Sequence, residues 1–228
     1  MKLRQDMKYK TLIFDCDGVL LDSNSLKTEA FRTVAADFGA ISAQRLVDYH
    51  LAHGGISRYE KFRYFIDSIL RGAVADAALP SIEDLLMRFS SLTRTGFEEC
   101  SVAEGLPELR EKTKGAFWLV LSGSDQTELR STLASKGLAD YFDKGIFGSP
   151  RSKEQIVEDL LSSGEIVLPA VFFGDSKYDF QVAAQFGFDF VFVSGWSEVS
   201  DWPEMVKENN LAEIHGMRDL LDQKCNWS

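Results

Sequence analysis

Short apolar runs ending in glycine, proline or polar residues constrain this chain more than anything else in it. They lie at Thr11–Phe14, Phe117–Leu121, Ala170–Phe173 and Phe188–Val193, with a shorter one at Gly145–Phe147. Such runs lack the alternation of a strand with one wet face, so they describe strands buried on both sides, as in a parallel sheet covered by helices. Between them the pattern turns helical. Asp125–Lys136 is followed by Gly137, Ser152–Ser163 by Gly164 and Lys177–Phe186 by Gly187, each glycine standing where a helix ends in left-handed backbone. Strand–helix alternation with short links predicts an α/β fold built on a doubly wound parallel sheet.

One stretch departs from this rhythm. From about Ser23 to Glu99 there is helical periodicity and no convincing strand. Tyr59, Phe62, Phe65, Ile66, Ile69 and Leu70 recur every three to four residues and make one apolar face. A further helix fits Ile82–Phe97, after Pro80 and Ser81. We therefore divide the chain into an α/β core, residues 1–21 and 100–228, and a small α-helical domain, residues 22–99, inserted after the first strand. Residues 1–6 read as an extension ahead of a second methionine, Met7.

Charge and cysteine usage narrow the function classes. The 228 residues carry a formal net charge of −10, a field that repels phosphate backbones and anionic lipid, so we expect neither a nucleic-acid nor a membrane partner. No run approaches the roughly 18 apolar residues of a membrane span, and no secretory leader is visible. Cys16, Cys100 and Cys225 are widely spaced without a CxxC pair, which argues against a disulfide framework or a zinc site and suits the cytoplasm. A monomer or weak dimer is expected.

The chemistry gathers where the apolar runs end. Leu12-Ile13-Phe14 runs straight into Asp15-Cys16-Asp17-Gly18. Strand periodicity places Asp15 and Asp17 on one side and Cys16 on the other. Two carboxylates on one side of a buried strand end invite a divalent cation, most simply Mg²⁺, and Gly18 lets backbone N–H groups approach an anion; the alternative is ordinary turn chemistry at Asp17-Gly18. A second strand runs into Gly174-Asp175-Ser176-Lys177-Tyr178-Asp179. Ligands of open α/β sheets collect at the carboxyl ends of strands, where Asp175 converges with Asp15 and Asp17. Asp179 fits either support of a metal site or capping of the helix that begins beside it. Phe117–Leu121 delivers Ser122-Gly123-Ser124 to the same edge, a hydroxyl and backbone donors for an anion. Lys153 opens a helix after Ser152, where it either faces a bound anion or is a solvated surface lysine.

In this order, Asp-x-Asp, Ser, Lys and Gly-Asp-Ser-x-x-x-Asp, the sequence resembles the haloacid dehalogenase superfamily of phosphotransferases over nearly its whole length. The resemblance implies a Rossmann-like core in which Asp15 is the nucleophile, becoming an aspartyl-phosphate, and Asp17 is the general acid and base. Ser122, Gly123 and Lys153 then hold the phosphoryl group, and Mg²⁺ sits with Asp15, the Asp17 backbone carbonyl, Asp175 and Asp179. An acid at Asp17 points to phosphate esters rather than to the dehalogenases and phosphonatases of the same fold. The inserted helices look like the cap of the phosphoglycolate phosphatase and β-phosphoglucomutase branch, and too little chain separates Ser122 from Lys153 for the other kind of cap.

The stretch His50-Leu51-Ala52-His53-Gly54-Gly55-Ile56-Ser57-Arg58 is glycine-bearing and basic, and within it Gly55-Ile56-Ser57-Arg58 is similar to a β-phosphoglucomutase cap segment. That similarity nominates Arg58, with Lys61 or His53, as contacts of a substrate anion; the alternative is that Ser57 caps a helix and Arg58 is solvated. Lys27 stands where the mutase has histidine, and an ammonium cannot accept a hydrogen bond. The expected function is a Mg²⁺-dependent phosphatase of a small phosphorylated metabolite, such as a sugar phosphate or a phosphoglycolate-like acid. The rivals are a phosphomutase and a non-catalytic phosphate-binding or receiver protein. Trp196 and Ser197, after the last strand, are expected in a loop near the site or in ordinary packing.

Overall fold

A computed structural model describes residues 8–73, 75 and 79–222; the extension read at residues 1–6 and Cys225 lie outside them. Six strands form one wholly parallel sheet: β1 (Thr11–Phe14), β2 (Phe117–Asp125), β3 (Ile146–Ser149), β4 (Ala170–Gly174), β5 (Asp189–Val193) and β6 (Ala212–Ile214). Their spatial order is β3-β2-β1-β4-β5-β6. The chain thus winds outward from β1 in both directions, and the switch point lies at the carboxyl ends of β1, β2 and β4.

The strands are buried on both faces because successive side chains enter different cores. Leu12, Phe14, Trp118, Val120, Val171 and Phe173 belong to one apolar cluster, whereas Ile13, Leu119, Leu121, Phe172 and Phe192 belong to the other. Phe14 stacks on Phe173 at 5.2 Å between ring centroids and lies 4.6 Å from Trp118. The indole N–H of Trp118 donates to Thr113 Oγ1 at 2.9 Å, so this buried ring leaves no polar atom unpaired.

Between β1 and β2 the chain is helical: α1 (Asn24–Ala36), α2 (Ala40–Ala52), α3 (Arg58–Tyr64), a π-helical turn at Phe65–Leu70, and α4 (Ile82–Glu99). Phe31, Val34, Leu46, Phe62, Phe65 and Phe89 from these helices form a third apolar cluster with no member from the sheet. Two crossings join this segment to the sheet, and they run side by side: Asp22 N–H donates to Ser101 O at 3.0 Å and Ala103 N–H to Leu20 O at 2.9 Å. After them come α5 (Leu106–Lys112), α6 (Gln126–Ser135), α7 (Lys153–Ser162), α8 (Lys177–Phe186), α9 (Trp202–Glu208) and α10 (Asp219–Asp222). Gly137, Gly164 and Gly187 end α6, α7 and α8 with φ of 70°, 76° and 70°.

Besides one-residue shifts at the end of β4 and the start of β5, the strands differ from the sequence reading at β2, β3 and β6. β2 continues to Asp125 through a register shift between Leu121 and Asp125, which carries Ser122-Gly123-Ser124 as an irregular strand. β3 starts one residue later and ends two later, at Ile146–Ser149 rather than Gly145–Phe147. β6, three residues with a glutamate among them, is an edge strand on β5 alone, and an edge strand needs no continuous apolar run. Among the described residues no helix is long and apolar enough to cross a membrane.

Truncating Phe14 removes a ring fully buried between two strands and two aromatic neighbours. Phe14→Ala is expected to lower stability by about 3–5 kcal/mol, read as a lower urea midpoint with unchanged denaturant slope.

Candidate active site

The site is built where β1, β2 and β4 stop. Asp15 extends the β1–β4 pairing by one bond, its N–H donating to Phe173 O at 2.9 Å. The chain then turns tightly, with the Leu20 and Leu21 N–H groups both donating to Cys16 O at 2.9 Å. This turn needs glycine. Gly18 has φ +77°, and a Cβ there would stand 2.1 Å from Asp175 Oδ2. Cys16 packs into the core, whereas Asp15 and Asp17 face one pocket with Asp175, Gly123, Lys27 and Lys61.

Lys153, the first residue of α7, is 1% exposed and crosses to the strand ends. Its ammonium donates to Asp15 Oδ1 at 2.8 Å and to Asp179 Oδ1 at 2.5 Å, so it is not a surface lysine. Asp179 also completes a capping box with Ser176, accepting the Ser176 backbone N–H on Oδ2 at 3.2 Å while its own N–H donates to Ser176 Oγ, and the Ser176 hydroxyl adds a bond to the same Oδ2 at 2.6 Å. One carboxylate thus caps α8 and orients Lys153 together. Ser122 is buried on β2 with Gly123 beside it, and a Cβ on Gly123 would stand 2.2 Å from the Gly55 carbonyl oxygen. The loop before α3 therefore passes directly over the Ser122-Gly123 strand end.

Asp15, Asp175 and Asp179 each offer an oxygen within 4.8 Å of the others, all buried. Burial, with the charges of Asp179 and Asp17, pushes Asp15 up to about 7 against the pull of Lys153. Burial and the same kind of crowding, from Asp15 and Asp179, push Asp175 well above the carboxylate range, with a hydrogen bond from Asn24 opposing. One ammonium does not balance three buried carboxylates, and hard oxygen donors with surplus negative charge fit Mg²⁺.

Asp17 is held differently. Its Oδ1 accepts the Ser23 hydroxyl at 2.7 Å; its Oδ2 accepts Lys27 Nζ and the Ser124 hydroxyl, each at 2.8 Å. Burial opposes its ionisation, but the Lys27 charge and these hydrogen bonds outweigh it and hold Asp17 at about 2.

The residues nominated from the helical segment separate. Arg58 is buried, not solvated, and its guanidinium makes a bidentate pair with Glu128 of α6 at 2.7 and 2.8 Å; its Nε is buried without a partner. Ser57 caps α3, as its alternative reading had it, accepting the Glu60 N–H at 3.3 Å. Lys61 is 2% exposed and lines the pocket, its ammonium 2.6 Å from His50 Nδ1. The structure does not bring His53 there. It caps the outer end of α2, stacks on Tyr49 and borders a surface groove instead, while His50, three residues earlier, faces inward. His50 Nε2 lies 3.0 Å from Thr28 Oγ1, and Thr28 donates to Glu198 at 2.7 Å. That order makes His50 Nε2 the protonated nitrogen and leaves Nδ1 to accept from Lys61.

Asn24, His50 and Glu128 were not singled out from sequence, and Ser124 was read only as part of Ser122-Gly123-Ser124. Asn24 follows an N-cap serine and Glu128 sits in the first turn of a helix, places where polar residues are ordinary. Trp196 and Ser197 do lie by the site: Asn24 donates to the Trp196 carbonyl at 2.9 Å, and the Ser197 hydroxyl to the Asp175 carbonyl at 2.7 Å.

Because Asp17 is held below its unfolded value near 3.9, it stabilises the fold above about pH 4, and that contribution is lost as pH falls toward 2. Lys27→Met removes its main support. The variant is expected to be less stable than wild type by about 2 kcal/mol at pH 7, and the gap between their urea midpoints should narrow steadily from pH 5 to pH 3.

Comparison with known proteins agrees with this architecture. A family model described as haloacid dehalogenase-like hydrolase matches residues 9–187. Among solved structures, a candidate phosphoglycolate phosphatase of Haemophilus somnus 129pt is similar at 16% identity with a TM-score of 0.71, covering 95% of this chain and 98% of that one. A candidate β-phosphoglucomutase of Thermotoga maritima has 22% identity and a TM-score of 0.60, covering 90% and 94%. CbbY from Rhodobacter sphaeroides, in complex with phosphate, has 18% identity and a TM-score of 0.62, covering 83% and 88%. No curated protein matches the chain. With the matched residues spanning β1 through α8 and every strand end that forms the site, the chain belongs to the haloacid dehalogenase-like hydrolases.

Proposed function

We propose that the protein is a Mg²⁺-dependent phosphatase acting in the cytoplasm on a small phosphorylated metabolite, with residues 22–99 as a cap over the active site. The observation that carries the reading is Asp15 at the end of β1, bonded to Lys153 and sharing a pocket with Asp17, Gly123 and Asp175. The separate apolar cluster of α1–α4 and the paired crossings at Asp22 and Ala103 support a cap that moves as a unit.

In this reading an Asp15 oxygen attacks phosphorus and the bond to the leaving oxygen breaks, with Asp17 supplying the proton that oxygen takes. Asp17 then removes a proton from water, which attacks the aspartyl-phosphate, releasing phosphate and restoring Asp15. Ser122, the Gly123 backbone and Lys153 hold the phosphoryl oxygens. Mg²⁺ held by Asp15, Asp175 and Asp179 would offset the charge of the phosphoryl group, which otherwise repels the carboxylate. Asp17 as it stands is ionised, the form that serves the water step. Turning Lys27 and Ser124 from Asp17 toward the phosphoryl oxygens would let it carry a proton for the first step.

The cap cations then differ in what they offer a substrate. Lys27 is engaged by Asp17 and Arg58 by Glu128, whereas among the described residues Lys61 hydrogen-bonds a neutral imidazole alone, and burial with the nearby Lys27 charge pulls its proton affinity down until an anion joins it. Lys61 is therefore the residue to meet a second anionic group, a carboxylate or phosphate on the leaving group. Lys27 in direct contact with Asp17, where a mutase carries histidine, supports hydrolysis over phosphoryl return.

Hydrolysis of p-nitrophenyl phosphate is expected to need Mg²⁺, to stop with EDTA, and to fall at least about 1,000-fold in Asp15→Asn; undiminished turnover in that variant would refute the nucleophile. Over a panel of phosphate esters, Lys61→Met should lower kcat/KM for carboxylate-bearing substrates about 10- to 100-fold more than for neutral ones.

A further inference from the structure

Asn24 opens α1 and lies outside every motif above. Its side-chain amide has two N–H donors. One donates to Asp175 Oδ2 at 2.7 Å, the other to the Trp196 carbonyl at 2.9 Å, on the loop after β5. Ser197, next on that loop, donates its hydroxyl to the Asp175 backbone carbonyl at 2.7 Å, so the loop holds the Asp175 backbone directly and its carboxylate through Asn24. Gly18 makes the contact possible: a Cβ there would stand 2.1 Å from Asp175 Oδ2 and 2.4 Å from Asn24 Nδ2, in the space the amide and carboxylate share.

The three clustered carboxylates are not supported alike. Asp15 and Asp179 both accept from Lys153. Asp175 has no cationic side chain within 4.0 Å among the described residues; the side chain that aligns it is a neutral amide. A neutral donor fixes the orientation of a carboxylate while leaving its charge for a cation, as outer partners of metal ligands do.

We propose that Asn24 is a positioning residue of the cation site: it presets Asp175 for the ion. Because its backbone belongs to α1, it also links the placement of the cap to cation affinity. The proposal rests on the reading of Asp15, Asp175 and Asp179 as a Mg²⁺ site. Linkage makes the effect reciprocal, so Mg²⁺ favours the arrangement in which Asn24 reaches Asp175.

The test is Mg²⁺ affinity of the full chain by titration calorimetry, with thermal melts to confirm folding. Asn24→Ala is expected to bind Mg²⁺ about 10- to 100-fold more weakly than wild type. Asn24→Ser, too short to span to both partners but still polar at the helix start, should show the same loss and replaces the alanine variant if that does not fold. Tyr59→Phe is the control. It removes another bond from the helical segment to the core, Tyr59 Oη to Asp125 at 2.7 Å, without touching Asp15, Asp175 or Asp179, and should lower the affinity far less than the Asn24 variants do. Asn24 variants that bind Mg²⁺ within twofold of wild type, or an equal loss in Tyr59→Phe, would overturn the role of Asn24 and leave the phosphatase reading standing. A wild-type protein that binds no Mg²⁺ would overturn the cation site and this inference together.

Discussion

The ion pairs of Lys153 with Asp15 and Asp179 are the constraint around which this structure is arranged. Three charged groups out of water carry a large desolvation penalty, which only close geometry and full hydrogen bonding offset. The geometry is supplied from far apart in the chain: Asp15 from the end of β1, Lys153 from the start of α7, and Asp179 from the first turn of α8. Adjacent parallel strands that stop at the same edge bring these positions within reach of one another. The two aromatic cores on either side of the sheet keep that edge in register.

Around this cluster the charge is deliberately uneven. Lys153 serves two acids and Lys27 serves Asp17, while Asp175 is aligned by an amide alone. The surplus of carboxylate is what a divalent cation would answer. The first turn of α1 spans the same region. Ser23 and Lys27 hold Asp17, Asn24 holds Asp175, and Thr28 joins Glu198 to the His50–Lys61 pair. The helical segment and the sheet core meet in polar contacts here, and such contacts can be made and broken without exposing an apolar core.

Much of this was legible because the relevant signals are local. Short apolar runs bounded by turn residues read as buried strands, and each run that ended in acid or serine marked a place on the reactive edge. The capping boxes at Ser152 and Ser176 likewise announce their helices within four residues. β6 escaped because an edge strand of three residues needs no apolar run. The choice between His50 and His53 escaped for a different reason. Both sit near the end of α2, and which one faces the pocket depends on the packing of α2 against its neighbours.

The sequence by itself determined the parallel sheet, the helical insertion after β1 and the acids and serine at the strand ends, since periodicity and strand ends are properties of neighbouring residues; Lys153 it left between the site and the surface. Only the tertiary structure decided which charges are already satisfied. It paired Arg58 with Glu128, bound Lys27 to Asp17, left Lys61 on a neutral imidazole and set Asn24 against Asp175. Those partners lie up to 151 positions apart. Whether a charged side chain is free to meet a ligand depends on what the fold has placed within about 3 Å of it, and no local pattern carries that distance.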